Sequence, residues 1–479
     1  MKKNGGSILR MVFVAVAIGA QVGWLVLQVA ALNEYSVYIS TLTSLLAAGA
    51  VLKLYSRDTT PAMKMPWLLL ILPFPVMGLT LYLLMVVCGD PAGTKKRLAK
   101  VRRKGPQGEG SAPWCRTLGH GYTDTDARYF PEAAEAFRAM KEDLEKAEKF
   151  IFMEYFIVED GPAFREIEEL LVRKAAQGVE VRLMYDDMGS IGVANFRFSK
   201  RLRREGIDCR VFNPAVPVLN LFMNHRDHRK ITVIDGKVGY TGGFNLAGEY
   251  FGYSEPYGHW KDVGLRLEGR GVAGLTRTFL ELWDLTARTS SAEEYLNVCH
   301  EVPAGGWMLP FGDDPLGPER RTEDLYLNLA GCARERLWFM TPYLIITDEL
   351  NRALGLAAKR GVDVRIITPG IPDKKMVYRV TRSYYPGLLR QGVRIFEYTP
   401  GFCHGKLCLA DGETAVVGTS NLDFRSLYHH FENNVILHGC SAVGEVEEDF
   451  LSTFEHCREV TAEDRHSPMT ILRLIAPLM

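Results

Sequence analysis

The sequence predicts an α/β protein in which N-terminal transmembrane helices precede two copies of one α/β domain. Three observations carry that reading. A stretch of the form H-x-K-x4-D, then six residues, then G-[GT]-x-N, occurs twice, beginning at His228 and at His404. The copies are offset by 404 − 228 = 176 residues with the same internal spacing, which chance does not supply. Each copy follows the same order of elements: strand, helix, glycine stop, strand. Residues 1–90 hold long apolar runs.

The chain has 479 residues, enough for two or three domains and a sizeable core. Its 57 basic and 57 acidic residues cancel, which removes any global electrostatic argument for nucleic acid. Nine cysteines are scattered without C-x-x-C or zinc-type spacing, as expected of reduced thiols facing a cytoplasm. Cys403 and Cys408 flank the second motif and read as strand residues.

Residues 1–90 read as a membrane anchor. The run 11–32 is almost wholly apolar and long enough to cross a bilayer, which takes about 20 residues. It is too long for a cleavable signal peptide. The run 35–55 is diluted by Ser and Thr. The run 66–88 is strong, but Pro73 and Pro75 should bend or break it. Lys2, Lys3 and Arg10 place the N-terminus inside. Lys95, Lys96, Arg97, Lys100, Arg102, Arg103 and Lys104 place the segment after the third run inside as well. Both hold only for an even number of crossings, so either 35–55 does not cross fully or the third run re-enters. The expectation is a multi-pass anchor in the cell membrane, with the catalytic region on the cytoplasmic face. Residues 91–113 form a basic juxtamembrane linker, whose charge would also lie against anionic headgroups.

From 114 onward, short apolar runs alternate with helical patterns. Residues 150–158 read as a buried strand, 163–177 as an amphipathic helix stopped by Gly178, and 179–185 as the next strand. In the second half, 337–344, 347–359 with a stop at Gly361, and 362–367 repeat that order. The domains are taken as 114–305 and 306–479, joined at the Pro/Gly-rich stretch 302–306. The apolar, basic C-terminus 470–479 suits either the membrane interface or packing on the domain.

Within each motif the residues after the Lys are strand-like, and Asp235-Gly236 or Asp411-Gly412 marks a hairpin turn. Strand alternation would turn His228 and Lys230 to one side, and His404 and Lys406 likewise. The candidate catalytic set is therefore His228, Lys230 and Asp235 with His404, Lys406 and Asp411. Within it the two Asp residues, at odd separation from the His, are expected to position the motif rather than react. Glycines after the return strand allow close approach and bring Asn245 and Asn421 towards the same pocket.

Imidazole, ammonium and carboxamide together suit a phosphate ester. Lys and Asn meet the non-bridging oxygens, one His attacks phosphorus, and the other protonates the leaving alkoxide and then deprotonates the acceptor. Two histidines on opposite sides of one phosphate call for two domains about a pseudo-two-fold axis. No metal or cofactor is expected. Each working imidazole needs an acceptor on its other nitrogen, for which Asp262 and Glu432 are the candidates. His225, His259, His429 and His430 read as surface or supporting residues. Arg425 suits a headgroup and an internal salt bridge equally. The apolar run 212–223 is expected to dip into the membrane and admit lipid, with a plain buried loop as the alternative.

These motifs resemble the paired HKD motifs of the phospholipase D superfamily. Further phrases extend the likeness: Met153-Glu154-Tyr155-Phe156, Tyr185-Asp186-Asp187-Met188-Gly189-Ser190, Asn224-His225-Arg226-Asp227 leading into the first motif, Thr341-Pro342-Tyr343, and Leu422-Asp423-Phe424-Arg425-Ser426. With the apolar N-terminus, the chain is similar over essentially its whole length to bacterial cardiolipin synthases of that superfamily. The resemblance implies two phospholipase D-like α/β sandwich domains. It implies transfer of a phosphatidyl group from one phosphatidylglycerol to another, giving cardiolipin and glycerol through a phosphatidyl-histidine, without a cofactor. It implies His228 as nucleophile, His404 as general acid and base, and Lys230, Lys406, Asn245 and Asn421 on the phosphate. The partners would be phosphatidylglycerol and anionic membrane lipids, not nucleic acid. Tyr428-His429-His430 departs from the family, where a more apolar or amide-bearing phrase is expected, and bears on the acceptor pocket. The rivals are a hydrolase or transphosphatidylase using another headgroup or acceptor, a nuclease, and a non-catalytic membrane scaffold. Zero net charge and the anchor disfavour the nuclease; two intact motifs disfavour the scaffold.

Overall fold

Two sheets with one strand order account for most of the protein. The computed structural model describes residues 37–57, 59–83, 92–102, 108–115, 117–194, 197–214, 224–291, 293–461, 464, 473–474 and 476–478, with isolated positions between 12 and 26. In the first half the strands are β1 (Thr125–Phe130), β2 (Phe150–Tyr155), β3 (Glu180–Asp186), β4 (Asp208–Phe212), β5 (Arg226–Asp227), β6 (Lys230–Ile234), β7 (Val238–Gly242), β8 (His259–Lys261) and β9 (Gly264–Gly269). In the second they are β10 (Trp307–Asp313), β11 (Arg336–Met340), β12 (Leu344–Ile345), β13 (Asp363–Pro369), β14 (Arg394–Tyr398), β15 (Gly401–Cys403), β16 (Leu407–Ala410), β17 (Thr414–Gly418), β18 (Leu422–Asp423), β19 (His430–His438) and β20 (Cys457–Val460). The first sheet runs β1-β9-β7-β6-β2-β3-β4, the second β10-β19-β17-β16-β11-β13-β14-β20. Position for position the orders coincide, and the second adds β20. In each, three parallel strands adjoin the antiparallel motif hairpin. The repeated motif is thus part of a repeated topology.

Parallel strands flanked by helices are buried on both faces, which is why they read as continuous apolar runs. Every residue of β2 is buried. Phe150 and Phe152 pack with Phe279 and Trp283 on one face, and Ile151, Met153 and Tyr155 with Ile167 and Leu171 on the other. The helix Pro162–Ala176 ends where Gly178 takes φ +91°, a conformation open to glycine. In the second half Thr347 caps the helix Asp348–Lys359 by accepting from Leu350 N at 3.2 Å, and Gly361 stops it at φ +95°.

The helices Val272–Ala287 and Ser441–Glu455 lie between the sheets; the first also packs on β10 and the second on β1. The central apolar cluster therefore mixes the halves, setting Phe152, Leu265 and Trp283 with Trp338, Leu407 and Val435. Each such side chain contributes roughly 1.5–3 kcal/mol on burial, so a shared core holds the halves together. Two short ladders join them at the polar end. β5 pairs with the start of β19, and β15 pairs with β8, both parallel. Exchanging the halves maps one ladder onto the other, the mark of a pseudo-two-fold relation.

The N-terminal region departs from the anchor that hydropathy predicts. Most of the run 11–32 lies outside the described residues. The run 35–55 is the helix Val37–Tyr55. The run 66–88 is broken where Pro73 and Pro75 fall, into parts of two helices, Pro61–Ile71 and Pro75–Tyr82, and its end lies outside the described residues. No helix among the described residues is long and apolar enough to cross a membrane, so the multi-pass anchor finds no support. These helices pack through Ala47, Leu54, Trp67, Ile71 and Tyr82, leaving Leu45, Leu52, Leu72 and Phe74 exposed. The helix Ala92–Val101 carries Lys95, Lys96, Arg97 and Lys100, and Arg102 beyond it pairs with Asp314 at 2.5 Å.

Ala112, Cys115 and Leu118, at the predicted start of the first domain, pack with Trp307 and Leu309 of the second, and Tyr122 bridges Met308. Their apolar side chains find the outer face of β10. Most of the run 212–223, on which the expected dip towards lipid falls, lies outside the described residues. At the C-terminus, Pro477 O lies 2.9 Å from His429 Nε2, and Arg473 donates to Ser383 Oγ at 3.1 Å, both on the second half.

Candidate active site

His228 follows β5 and His404 follows β15, so each inter-half ladder delivers one histidine. His228 N donates to Phe431 O at 2.9 Å, and His404 N donates to Lys261 O at 2.7 Å. One residue beyond each acceptor stands a fully buried carboxylate. His228 Nδ1 lies 3.0 Å from both Oε1 and Oε2 of Glu432, and His404 Nδ1 lies 2.6 Å from Asp262 Oδ2. The pairs are crossed: each half orients the histidine of the other. Thr419 Oγ1 donates to Glu432 at 2.5 Å and Val263 N to Asp262 at 2.8 Å, which holds the carboxylates in turn.

The lysines do not meet the histidines by strand alternation. β6 begins at Lys230 and β16 at Leu407, so the intervening backbone is outside the ladder. Each Lys curls back instead. Lys230 Nζ donates to His228 O at 2.5 Å; Lys406 Nζ donates to His404 O and stands 2.9 Å from His404 Nδ1. Burial pushes Lys230 down to about 7 and Lys406 down to about 8, because lost hydration outweighs the attraction of Glu432 and Asp262. Burial, then Lys406, pushes His404 down to about 4. Burial, then Lys230, holds His228 well below its ordinary value. Burial also raises Glu432 well above the carboxylate range.

Asn245 and Asn421 take partly structural roles. Asn245 Oδ1 accepts from Ile157 N at 3.0 Å while its Nδ2 donates to Tyr250 OH at 2.7 Å. Asn421 N donates to Ser426 Oγ at 3.1 Å, and its buried Oδ1 has no partner among the described residues.

Asp235 and Asp411 leave the predicted catalytic set. Both sit in Asp-Gly turns at φ +55° and +54°, the left-handed region that Asp tolerates, with Gly236 and Gly412 following at +67° and +69°. Asp235 accepts from Glu148 N, Lys149 N and Phe150 N at 2.9, 2.7 and 2.8 Å. Asp411 accepts from Arg334 N, Glu335 N and Arg336 N at 3.0, 2.8 and 3.0 Å. They pin each motif hairpin to the start of β2 or β11, away from the histidines.

His228, His404, Asn245 and Asn421 line one cavity of about 720 Å³ between the halves. Lys230, Lys406, Asp262 and Glu432 are fully buried and do not line it. Of its other walls, Tyr250 and Glu249 were not singled out from sequence. Phe156 lies 5.1 Å from His228, and Tyr250 and Trp260 each lie 5.4 Å from His404, ring centre to ring centre. Glu249 lines it too, and the available signal was the repeat itself, since Glu249 and Arg425 are again 176 apart. Arg425 also lines the cavity, where the charge of Asp423 acts on it. His430, expected at the surface or in support, is not at the surface. It is buried in the cavity wall 5.2 Å from His228, and neither ring nitrogen has a hydrogen-bond partner among the described residues. His225 Nδ1 and His259 Nδ1 engage His429 O at 3.0 Å and Tyr398 OH at 2.8 Å, supporting roles as expected.

His228, His430 and Glu432 bring three ligand-type atoms within 4.8 Å of one another, a cluster invisible in sequence because both halves contribute. The adjacent Lys230 and Lys406 ammonium groups oppose a cation there.

A pair of carboxylate-oriented histidines shared between two copies of an α/β domain is the equipment of an enzyme that moves a phosphoryl-linked group through a histidine. Comparison with known proteins narrows the class. A family model described as cardiolipin synthase, phospholipase D-like domain, matches residues 140–279 and 326–454. The chain is 40% identical to an uncharacterized protein of Streptococcus mutans over 90% of its own length and 100% of that protein. It is 36% identical to cardiolipin synthase 2 of Bacillus cereus, covering 74% of this chain and 71% of the relative. It is 32% identical to the cardiolipin synthase of Halalkalibacterium halodurans over 95% of each. The crystal structure of phosphatidylserine synthase from Haemophilus influenzae shares the fold with a TM-score of 0.57, covering 81% of this chain and 98% of that one at 14% identity. The chain belongs to the cardiolipin synthase family built on phospholipase D-like domains.

Proposed function

We propose that the protein is a cardiolipin synthase, transferring the phosphatidyl group of one phosphatidylglycerol to a hydroxyl of another and releasing glycerol. The observation that carries this is the crossed pairing of two histidines with two buried carboxylates around one cavity. The Nδ1–Glu432 contact leaves His228 Nε2 to attack phosphorus. As the N–P bond forms, the P–O bond to glycerol breaks and His404 gives its Nε2 proton to the departing alkoxide. A hydroxyl of the second lipid then returns a proton to His404 as its oxygen attacks phosphorus and the N–P bond breaks. Both histidines are restored. Asp262 stabilises the His404 imidazolium, and the negative phosphodiester beside it favours that protonated form. Lys230 and Lys406 supply positive charge, and Asn245 and Asn421 supply amides, as charge builds on the non-bridging oxygens.

Exposed Leu45, Leu52, Leu72 and Phe74 on the N-terminal helices, with the basic helix Ala92–Val101 beside them in sequence, support residence at an anionic membrane, with the catalytic domains on its cytoplasmic face. The test is purified protein in phosphatidylglycerol vesicles, read by mass spectrometry. Cardiolipin with an equal yield of glycerol is the expected result. Phosphatidic acid alone would establish a hydrolase instead. His228→Ala and His404→Ala should each abolish turnover, and activity retained by either would refute the two-histidine mechanism.

A further inference from the structure

The cavity is built by symmetry and lined without it. Position 249 corresponds to position 425 through the motif offset (425 − 249 = 176), and Glu stands where its counterpart is Arg. The pairings Cys403↔Lys261 and Asp227↔Phe431 likewise make Trp260 the counterpart of His430. Glu249 and Trp260 belong to the His404 end. Tyr250, next to Glu249, and Trp260 lie 4.9 Å apart, each 5.4 Å from His404. His430 lies 5.2 Å from His228, and the charge of Arg425 acts on His430.

One polar group at the His404 end lacks a partner among the described residues, and a carboxylate stands on the same cavity wall. Trp260 Nε1 is buried without an acceptor. The Glu249 carboxylate, half-buried in the wall, accepts from its own backbone N–H, with Glu159 nearby. An unpaired donor and an acidic acceptor with lone pairs to spare, on the wall of one cavity among aromatic rings, do not suit a phosphate. They suit a polyol, whose hydroxyls both give and take hydrogen bonds and whose C–H edges rest on ring faces.

We propose that Glu249 and Trp260 form the glycerol subsite of the cavity, where the headgroup of the donor lipid leaves and that of the acceptor enters. This rests on the transferase reading with His228 as nucleophile. In-line displacement places both the leaving and the entering alcohol opposite the attacking nitrogen, at His404, the end where these residues stand. A glycerol there satisfies both groups. A monohydric alcohol leaves at least one buried polar group unpaired, and sites built to bind hydroxyls discriminate most strongly against ligands that lack them. The opposite charges of Glu249 and Arg425 would further orient the donor, with its headgroup towards Glu249 and its phosphate towards Arg425.

The test uses the full chain in phosphatidylglycerol vesicles with isotopically labelled glycerol and ethanol as competing acceptors. Labelled phosphatidylglycerol and phosphatidylethanol are measured by mass spectrometry. Wild-type protein should prefer glycerol, and Glu249→Gln and Trp260→Phe should each lower that preference about tenfold or more while phosphatidylethanol still forms. An unchanged preference in a variant that still makes phosphatidylethanol overturns the subsite. Should both variants lose all transfer, the wild-type protein decides alone with propane-1,2-diol against 1-propanol, and equal use overturns it. Failure of wild-type protein to transfer to any alcohol would refute the transferase reading itself, and the subsite with it.

Discussion

His228 Nδ1 lies 3.0 Å from both carboxylate oxygens of Glu432, a residue 204 positions further along in the other half of the chain. His404 is held in the same way by Asp262, 142 positions back. Neither half therefore contains a working histidine–carboxylate unit. Duplication supplied two sets of parts, and the interface between the copies assembles them crosswise.

That crossing separates the effects of the two carboxylates. With a p-nitrophenyl phosphodiester as donor, the leaving group needs no proton. Asp262→Asn should then release a first equivalent of nitrophenol at a near-normal rate and stall, because His404 fails to discharge the intermediate. Glu432→Gln should slow the burst itself, by about 10² to 10⁴ if the loss of orientation compares with other histidine–carboxylate pairs. Burst kinetics with intact-protein mass spectrometry would read the difference. Identical behaviour of the two variants would contradict the crossed assignment.

The turn aspartates should act on stability and not on chemistry. Asp235 is buried and takes three backbone amides. Asp235→Asn, which keeps the left-handed tolerance but loses charge and an acceptor, should cost roughly 2–4 kcal/mol. Asp411 is less buried, and water reaches the amides of Arg334 and Glu335, so Asp411→Asn should cost about half as much. Denaturation midpoints check the order, and the turnover of whatever remains folded should stay near normal.

The pH profile should carry the imprint of the buried lysines. Lys230, near 7, and Lys406, near 8, lose their protons as pH rises through that range, and only the cationic forms stabilise the phosphate. Hence kcat/KM should fall above about pH 7–8, well before an ordinary lysine at 10.5 would titrate. His228, held well below 6.5, stays neutral across the same range, so any acid limb belongs below that value. A rate that stays flat to pH 10 would remove both lysines from the phosphate's field.

Both histidines of a cavity come from one chain. Mixing His228→Ala protein with His404→Ala protein should restore no activity, since every cavity keeps one defect. Recovery of about a quarter of the wild-type rate would instead reveal exchange of halves between chains.

The sequence by itself determined whatever is local. The repeat, the two histidines, the Asp-Gly turns and the glycine helix stops follow from spacing, alternation and backbone handedness within a few residues, and the structure places them where those rules put them. Local rules failed where the chain leaves regular structure. Alternation gave Lys230 and His228 a common face, but His228 precedes the ladder that Lys230 opens, and the ammonium turns back to a carbonyl. In the run 66–88, by contrast, Pro73 and Pro75 divide the helix as their chemistry predicts. Only the tertiary structure decided which carboxylate serves which histidine. It alone brought His430, Glu249 and Trp260 to the cavity. Those choices depend on the two parallel ladders, Asp227 against Phe431 and Cys403 against Lys261. Residues that far apart in sequence meet through the shared apolar core, and no local pattern encodes which of them it will bring together.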